Sequence, residues 1–168
     1  MTSQSQAATV TAYIGVGANL NNPVAQVVKA INALKALPQT TFSKASPMYG
    51  SKPLGPTDQP DYINAVVKLE TSLTPESLLD ALQEIEQQQG RERKAERWGP
   101  RVIDLDILLF GNQTIQTERL TIPHYHMGER EFVLYPLFDI DSDVTMPDGT
   151  AVRDMLVNCP RNGLQRYY

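Results

Sequence analysis

Three observations in the 168-residue sequence predict an α+β fold: an antiparallel sheet of the ferredoxin-like split βαβ kind (βαββαβ), with helices on one face and a C-terminal extension. Three segments alternate apolar and polar residues with the period of two that marks a half-buried strand. Two others carry apolar stripes of helical period between helix-start and helix-stop residues. With one weaker strand between them, the order is strand, helix, strand, strand, helix, strand.

Val10, Ala12, Ile14 and Val16 alternate with Thr9, Thr11, Tyr13 and Gly15, which makes the first strand. Asn21 or Asn22 then caps a helix with Pro23 in its first turn; Val24, Val27, Val28, Ile31, Leu34 and Leu37 form one stripe, and Pro38 stops it. Thr41 to Tyr49 is a weakly patterned strand containing Pro47, which cannot donate to a ladder and so predicts an edge. Gly50 to Asp61, dense in turn residues, reads as a long loop. In Tyr62 to Glu70, Ile63, Ala65, Val67 and Leu69 share one face, opposite Tyr62, Asn64, Val66 and Lys68. Thr74-Pro75-Glu76 opens a helix that turns Leu78, Leu79, Leu82 and Ile85 inward and ends at Gly90. Val102 to Phe110 is the last strand of the unit, with Ile103, Leu105, Ile107 and Leu109 on one face. Beyond Gly111 the sequence predicts a short hairpin, a loop from Pro123 to Met127, a helix from about Gly128 to Phe138, and an irregular C-terminal segment.

No repeat or linker divides the chain, so residues 1–168 are expected to form one domain. The longest apolar runs, Ile107 to Phe110 and Phe132 to Tyr135, fall far short of the roughly 18 residues that cross a bilayer. The first basic residue is Lys29, which leaves the N-terminal segment without a secretory signal and predicts a cytoplasmic protein. Cys159 is the only cysteine, so an internal disulfide and a multi-cysteine zinc site are excluded. The formal charge of −4 argues against broad binding to nucleic acid, yet Arg91, Arg93, Lys94, Arg97 and Arg101 stand within one short loop against only Glu92 and Glu96. A cationic loop on an acidic body suits a small polyanion.

Gly15-Val16-Gly17-Ala18-Asn19-Leu20 lacks the third glycine of a dinucleotide fingerprint, where Leu20 stands, and reads as a tight turn. No Gly-Lys pair occurs, so there is no P-loop. The sharpest feature is Asp104-Leu105-Asp106: on a strand both carboxylates point to one side, about 7 Å apart, and would repel each other unless a cation neutralised them. Magnesium takes oxygen ligands, commonly one or two carboxylates plus substrate phosphates. With the guanidinium groups just upstream, the pair points to phosphoryl-type transfer on a nucleotide. Tyr62 and Asn64 should share the face of these acids, where an aromatic plane beside a carboxamide suits a flat heterocycle. His124 and His126 flank Tyr125, but without a third nitrogen or sulfur ligand they do not make a zinc site; His124 could meet a phosphate or simply lie at the surface. Trp98, beside Gly99-Pro100, could pack a closed basic loop or belong to the core. A non-catalytic nucleotide- or RNA-binding module is the alternative, disfavoured for RNA by the charge and the exposed acids.

Residues Arg97 to Leu108 (RWGPRVIDLDIL) resemble the signature of the 6-hydroxymethyl-7,8-dihydropterin pyrophosphokinase family. The resemblance runs nearly the full chain, through Pro53-Leu54-Gly55-Pro56, Asp58 to Ala65, and Pro123-His124-Tyr125. It implies magnesium-dependent transfer of the terminal diphosphate of ATP to the pterin hydroxymethyl group, releasing AMP, in folate biosynthesis. It also implies that Asp104 and Asp106 hold two Mg2+ ions, and that Asn64 with the backbone of Ser51 and Leu54 reads the pterin, whose ring lies between Tyr62 and Phe132. Arg91, Arg93, Arg101, His124, Tyr125 and Arg130 would meet the phosphates, with Arg91 and Arg101 catalytic. Glu86, Ile107, Arg119 and Thr121 would surround the adenosine, and Trp98 with Arg93 would seal a basic loop that closes over ATP beside the pterin. The expected partners are these two small molecules, with no nucleic acid, no membrane and a monomeric chain. The sequence departs from the family's usual pattern at Gly17-Ala18-Asn19, where Gly-Ser-Asn is common, and at Ser51, often Thr.

Overall fold

The computed structural model describes residues 8–19, 22–51, 62–89, 103–124, 127–161 and 164–166. Strand β1 (Val10–Ala18) leads to helix α1 (Pro23–Lys35), whose N-cap Asn22 takes a left-handed backbone that asparagine tolerates better than most residues. Strand β4 (Tyr62–Thr71) leads to helix α2 (Pro75–Gln88), where the Thr74 hydroxyl accepts the Ser77 N–H at 3.1 Å, as the Thr-Pro-Glu start predicts. The predicted stop at Gly90 lies outside the described residues. Strand β5 (Asp104–Phe110) closes the βαββαβ unit.

The single strand predicted over Thr41 to Tyr49 is two strands, β2 (Thr40–Ala45) and β3 (Tyr49–Ser51), separated at Pro47. Ser46 makes the break orderly: its N–H donates to Val66 O (2.8 Å) and its hydroxyl accepts the Val66 N–H (2.9 Å). Both strands pair with β4 on the same side, β2 near its end and β3 near its start. Strand β2 is an edge as expected, but β3 lies between β4 and β8 (Gln165–Arg166), and its Gly50 and Ser51 were expected in a loop. The order across the sheet is β5-β1-β4-β3-β8, with antiparallel neighbours.

Helices α1 and α2 cover one face. Val27, Ala30 and Leu34 of α1 and Leu78, Leu82 and Ile85 of α2 are buried in one cluster with Ala12, Ile14 and Val16, and with Ile63, Ala65, Val67 and Leu69. Each fully buried leucine there contributes about 2 kcal/mol. The other face is not open throughout. After the hairpin of β6 (Ile115–Gln116) and β7 (Thr121–Ile122) and a 3-10 turn at Met127–Glu129, helix α3 (Glu131–Ile140) packs Val133, Leu134, Leu137 and Ile140 with Tyr13, Val66, Leu108 and Leu109. Helix α4 (Val152–Val157) adds Val152. Helix α3 begins later than predicted because Arg130 is extended and stands as its N-cap.

One residue breaks the alternation predicted for β5. Tyr13 opposes Leu109 and Ile14 opposes Ile107, which leaves Leu108 as an extra residue, a β-bulge. Beyond it the faces exchange: Leu109, expected with Ile103, Leu105 and Ile107, joins the α3 layer, and Phe110 enters the α1/α2 layer. Among the described residues, no helix is long and apolar enough to cross a membrane.

Candidate active site

The ladder aligns the polar residues of three strands. Asp104 of β5 is opposite Gly17 of β1, which is opposite Asn64 of β4; Asp106 is likewise opposite Gly15. Alternation places Tyr62 on the face of Asn64 and both acids on one side of β5, away from α1 and α2. Asn64 is buried, Asp104 is half-buried, and Asp106 is exposed. Burial, and next the charge of Asp104, push the Tyr62 hydroxyl up from its ordinary pKa, so the ring and the acid share one electrostatic environment.

Gly15 and Val16 lie in β1 as the alternation predicts, and Gly17 and Ala18, expected in a tight turn, continue the strand to its end. Its glycines serve by having no side chain: a Cβ on Gly17 would meet Asn64 Oδ1 at 2.8 Å, and one on Gly15 would meet Leu108 Cδ2 at 3.3 Å. The bare stretch of β1 is therefore a floor over which the Asn64 amide can lie. The sequence signal was two glycines at alternate, outward positions of a strand, a pattern that a turn reading hides.

His124 joins the same place from the other side. The Ile122–Pro123 peptide is cis, and the following His124 N–H donates to the carbonyl of the bulged Leu108 (3.0 Å). Its Nε2 then stands 4.0 Å from Asp106 Oδ1. At the start of α3, the Arg130 guanidinium lies over the Phe132 ring, 5.5 Å from its centroid.

The remaining candidates are placed differently. Glu86 is only 4% exposed, and its Oε2 accepts the Leu105 N–H at 2.9 Å. The side chain of Ile107 is buried in the α1/α2 layer, which leaves its backbone to meet a ligand. Thr121 is exposed on β7. Arg119, just before it, donates to Glu76 Oε2 (2.9 Å) and Asp80 Oδ1 (2.6 Å) of α2. Ser51 presents its backbone in β3 opposite Tyr62. Leu54, Arg91, Arg93, Trp98, Arg101 and Tyr125 lie outside the described residues, as does the basic loop expected to close over ATP.

Asp104 and Asp106 offer hard oxygen donors suited to Mg2+ or Ca2+ rather than to softer metals. Among the described residues, no group of three or more His, Cys, Asp or Glu is placed to hold a metal ion. A cation held by the two acids would thus complete its shell from water and a ligand's oxygens, which is the usual habit of magnesium at phosphate-binding sites.

Residues 13–142 match the family model described as 7,8-dihydro-6-hydroxymethylpterin-pyrophosphokinase (HPPK). The chain is 55% identical over 147 residues to a 2-amino-4-hydroxy-6-hydroxymethyldihydropteridine pyrophosphokinase of Haemophilus influenzae, covering 88% of this chain and 91% of that protein. It is 51% identical over 154 residues to the protein of the same name from Pseudomonas aeruginosa, covering 92% and 94%. Its fold is similar to that of a crystal structure described as HPPK-DHPS in complex with substrates, with TM-score 0.76 and 15% identity over 96% of this chain and 47% of the other. A Plasmodium falciparum HPPK-DHPS structure gives TM-score 0.71 and 15% identity, over 89% and 45%. The chain thus spans about half the length of these two solved chains.

Proposed function

The chain belongs to the 7,8-dihydro-6-hydroxymethylpterin-pyrophosphokinase family, a pyrophosphokinase of folate biosynthesis, and from that membership we propose how its residues carry the reaction. The pterin hydroxyl oxygen bonds to the β-phosphorus of ATP while the bond from that phosphorus to the α,β-bridging oxygen breaks, and AMP leaves. The observation that carries the residue assignment is the row Asp104, Gly17, Asn64 across three paired strands, which sets an acid and a carboxamide at fixed separation on either side of a bare strand.

Such a transfer needs positioning and charge neutralisation more than a covalent nucleophile. Asn64 offers both an N–H donor and a carbonyl acceptor to the amide edge of the pterin, and the backbone of Ser51 and Leu54 would share in that recognition. Tyr62 and Phe132 offer ring faces to the heterocycle. Asp104 and Asp106 hold the magnesium, two ions in this proposal. Bound there, magnesium would neutralise triphosphate charge and ease loss of the hydroxyl proton. His124 and Arg130 turn toward the phosphates, joined by Arg91, Arg93, Arg101 and Tyr125. Arg119, Thr121 and the Ile107 backbone would face the adenosine, and Trp98 with Arg93 would exclude water, which would otherwise consume ATP.

The acting unit we propose is one domain working as a monomer in the cytoplasm. Incubation with Mg2+, ATP and hydroxymethyldihydropterin should yield AMP and the pterin diphosphate in equal amounts. ADP as the product, or AMP formed without pterin, would overturn the reaction.

A further inference from the structure

We propose that Glu86 is a positioning residue, which holds the β5 backbone at the residue between the two acids and so fixes their spacing. The inference rests on the reading of Asp104 and Asp106 as the magnesium ligands. Among the described residues, strand β5 ends the sheet at this side and pairs with β1. Leu105 directs its N–H away from that ladder to Glu86 Oε2, 2.9 Å away and out of contact with water. Glu86 itself is 4% exposed and stands in the last turn of α2, near the helix end where the backbone dipole disfavours a negative charge. A carboxylate in such a place is costly unless it is well hydrogen-bonded. The Leu105 N–H is a partner that the fold keeps for it.

The geometry has a direct consequence for the site. Asp104 and Asp106 pair with Gly17 and Gly15 on the inner side of β5, while Leu105 between them is held from the outer side by Glu86. The segment is fastened from both edges, so two like charges cannot relax apart by bending the strand. Glu86 thus acts through the backbone, where the family resemblance implies a place around the adenosine.

Two variants separate these roles. Glu86→Gln keeps an acceptor oxygen and removes the charge; Glu86→Leu removes both. Three quantities are measured: hydrogen exchange of the Leu105 amide without ligands, Mn2+ binding by electron paramagnetic resonance with a non-hydrolysable ATP analogue, and KM for ATP. Positioning requires that Glu86→Gln keep the Leu105 amide protected, with Mn2+ affinity and KM within about 3-fold of the parent. Glu86→Leu should speed that exchange and weaken Mn2+ by about 10-fold or more. A Glu86→Gln variant that keeps Leu105 protected but raises KM for ATP by ~10-fold overturns the proposal in favour of a nucleotide contact. Unchanged exchange at Leu105 in Glu86→Leu overturns it as well. If Glu86→Leu does not fold, the Glu86→Gln results alone decide. Because the exchange measurement needs no substrate, failure of the parent protein to make AMP would refute the reaction and leave this test intact.

Discussion

Gly17 and Asn64 face each other across the β1–β4 ladder so closely that a methyl group on the glycine would stand 2.8 Å from the Asn64 side-chain oxygen. Asn64 is buried, so its amide could make room for such a methyl only by leaving its present place.

Gly17→Ala should therefore displace the Asn64 amide and weaken pterin binding by at least ~10-fold, about 1.4 kcal/mol, with ATP affinity nearly unchanged. Gly15→Ala, whose methyl would meet only the Leu108 side chain at 3.3 Å, should be milder. Calorimetric titration of each variant with pterin and with an ATP analogue checks this. Equal pterin affinity for Gly17→Ala and the parent would remove Asn64 from the pterin pocket.

Asp104→Ala and Asp106→Ala should each lower turnover by ~100-fold or more, about 2.7 kcal/mol in barrier, while pterin affinity changes little. Because both acids are outside the apolar clusters, melting temperatures should hold. Steady-state rates near the parent's in both variants would end the metal assignment.

Arg119→Ala should leave the melting temperature almost unchanged, since its pairs with Glu76 and Asp80 are exposed to solvent, which screens them. KM for ATP should nevertheless rise several-fold. Should ATP kinetics be unaltered, Arg119 merely joins the hairpin to α2.

The Tyr13–Asp141 hydrogen bond, with Lys68 3.4 Å from the same carboxylate oxygen, ties the end of α3 to the sheet and predicts a stability profile. Burial raises the Asp141 carboxyl, but the Tyr13 hydroxyl and the Lys68 ammonium outweigh it and hold the group below its ordinary 3.8. Its contribution is full above 3.8 and is lost as pH falls through the lower folded value. Burial and the same acid raise the Tyr13 hydroxyl above 10.0, so that contribution is full below 10.0 and is lost as pH rises through the higher folded value. Tyr13→Phe should cost about 1 kcal/mol at neutral pH and flatten both limbs of the stability curve. Thermal melts across the acid and alkaline ranges test this; parallel curves for variant and parent would mean the pair is not linked to pH.

The sequence revealed what depends on periodicity. The apolar faces of β1 and β4 and the stripes of α1 and α2 come from side-chain alternation alone, and they position Tyr62, Asn64, Asp104 and Asp106 together. What escaped it depends on contacts distant in sequence. An extra residue in β5 obeys no period, so alternation alone puts Leu109 on the wrong side. Glycine marks both turns and crowded strands, so Gly17 reads as a turn residue although it continues β1. Pro47 ends a strand but does not say that β3 resumes on the same neighbour, a pairing that Ser46 arranges through Val66. The hydrogen bond from the Leu105 N–H to Glu86 requires knowing which edge of β5 lies beside α2.

The bulge at Leu108 concentrates two duties in one inserted residue. Removing Leu108 would leave Leu109 opposite Tyr13 and Phe110 opposite Ala12 in an even ladder, but it would take a buried leucine out of the α3 layer and remove the carbonyl that the His124 amide meets. The same residue fills one apolar layer and seats one polar side chain, so a single deletion there would injure packing and chemistry together.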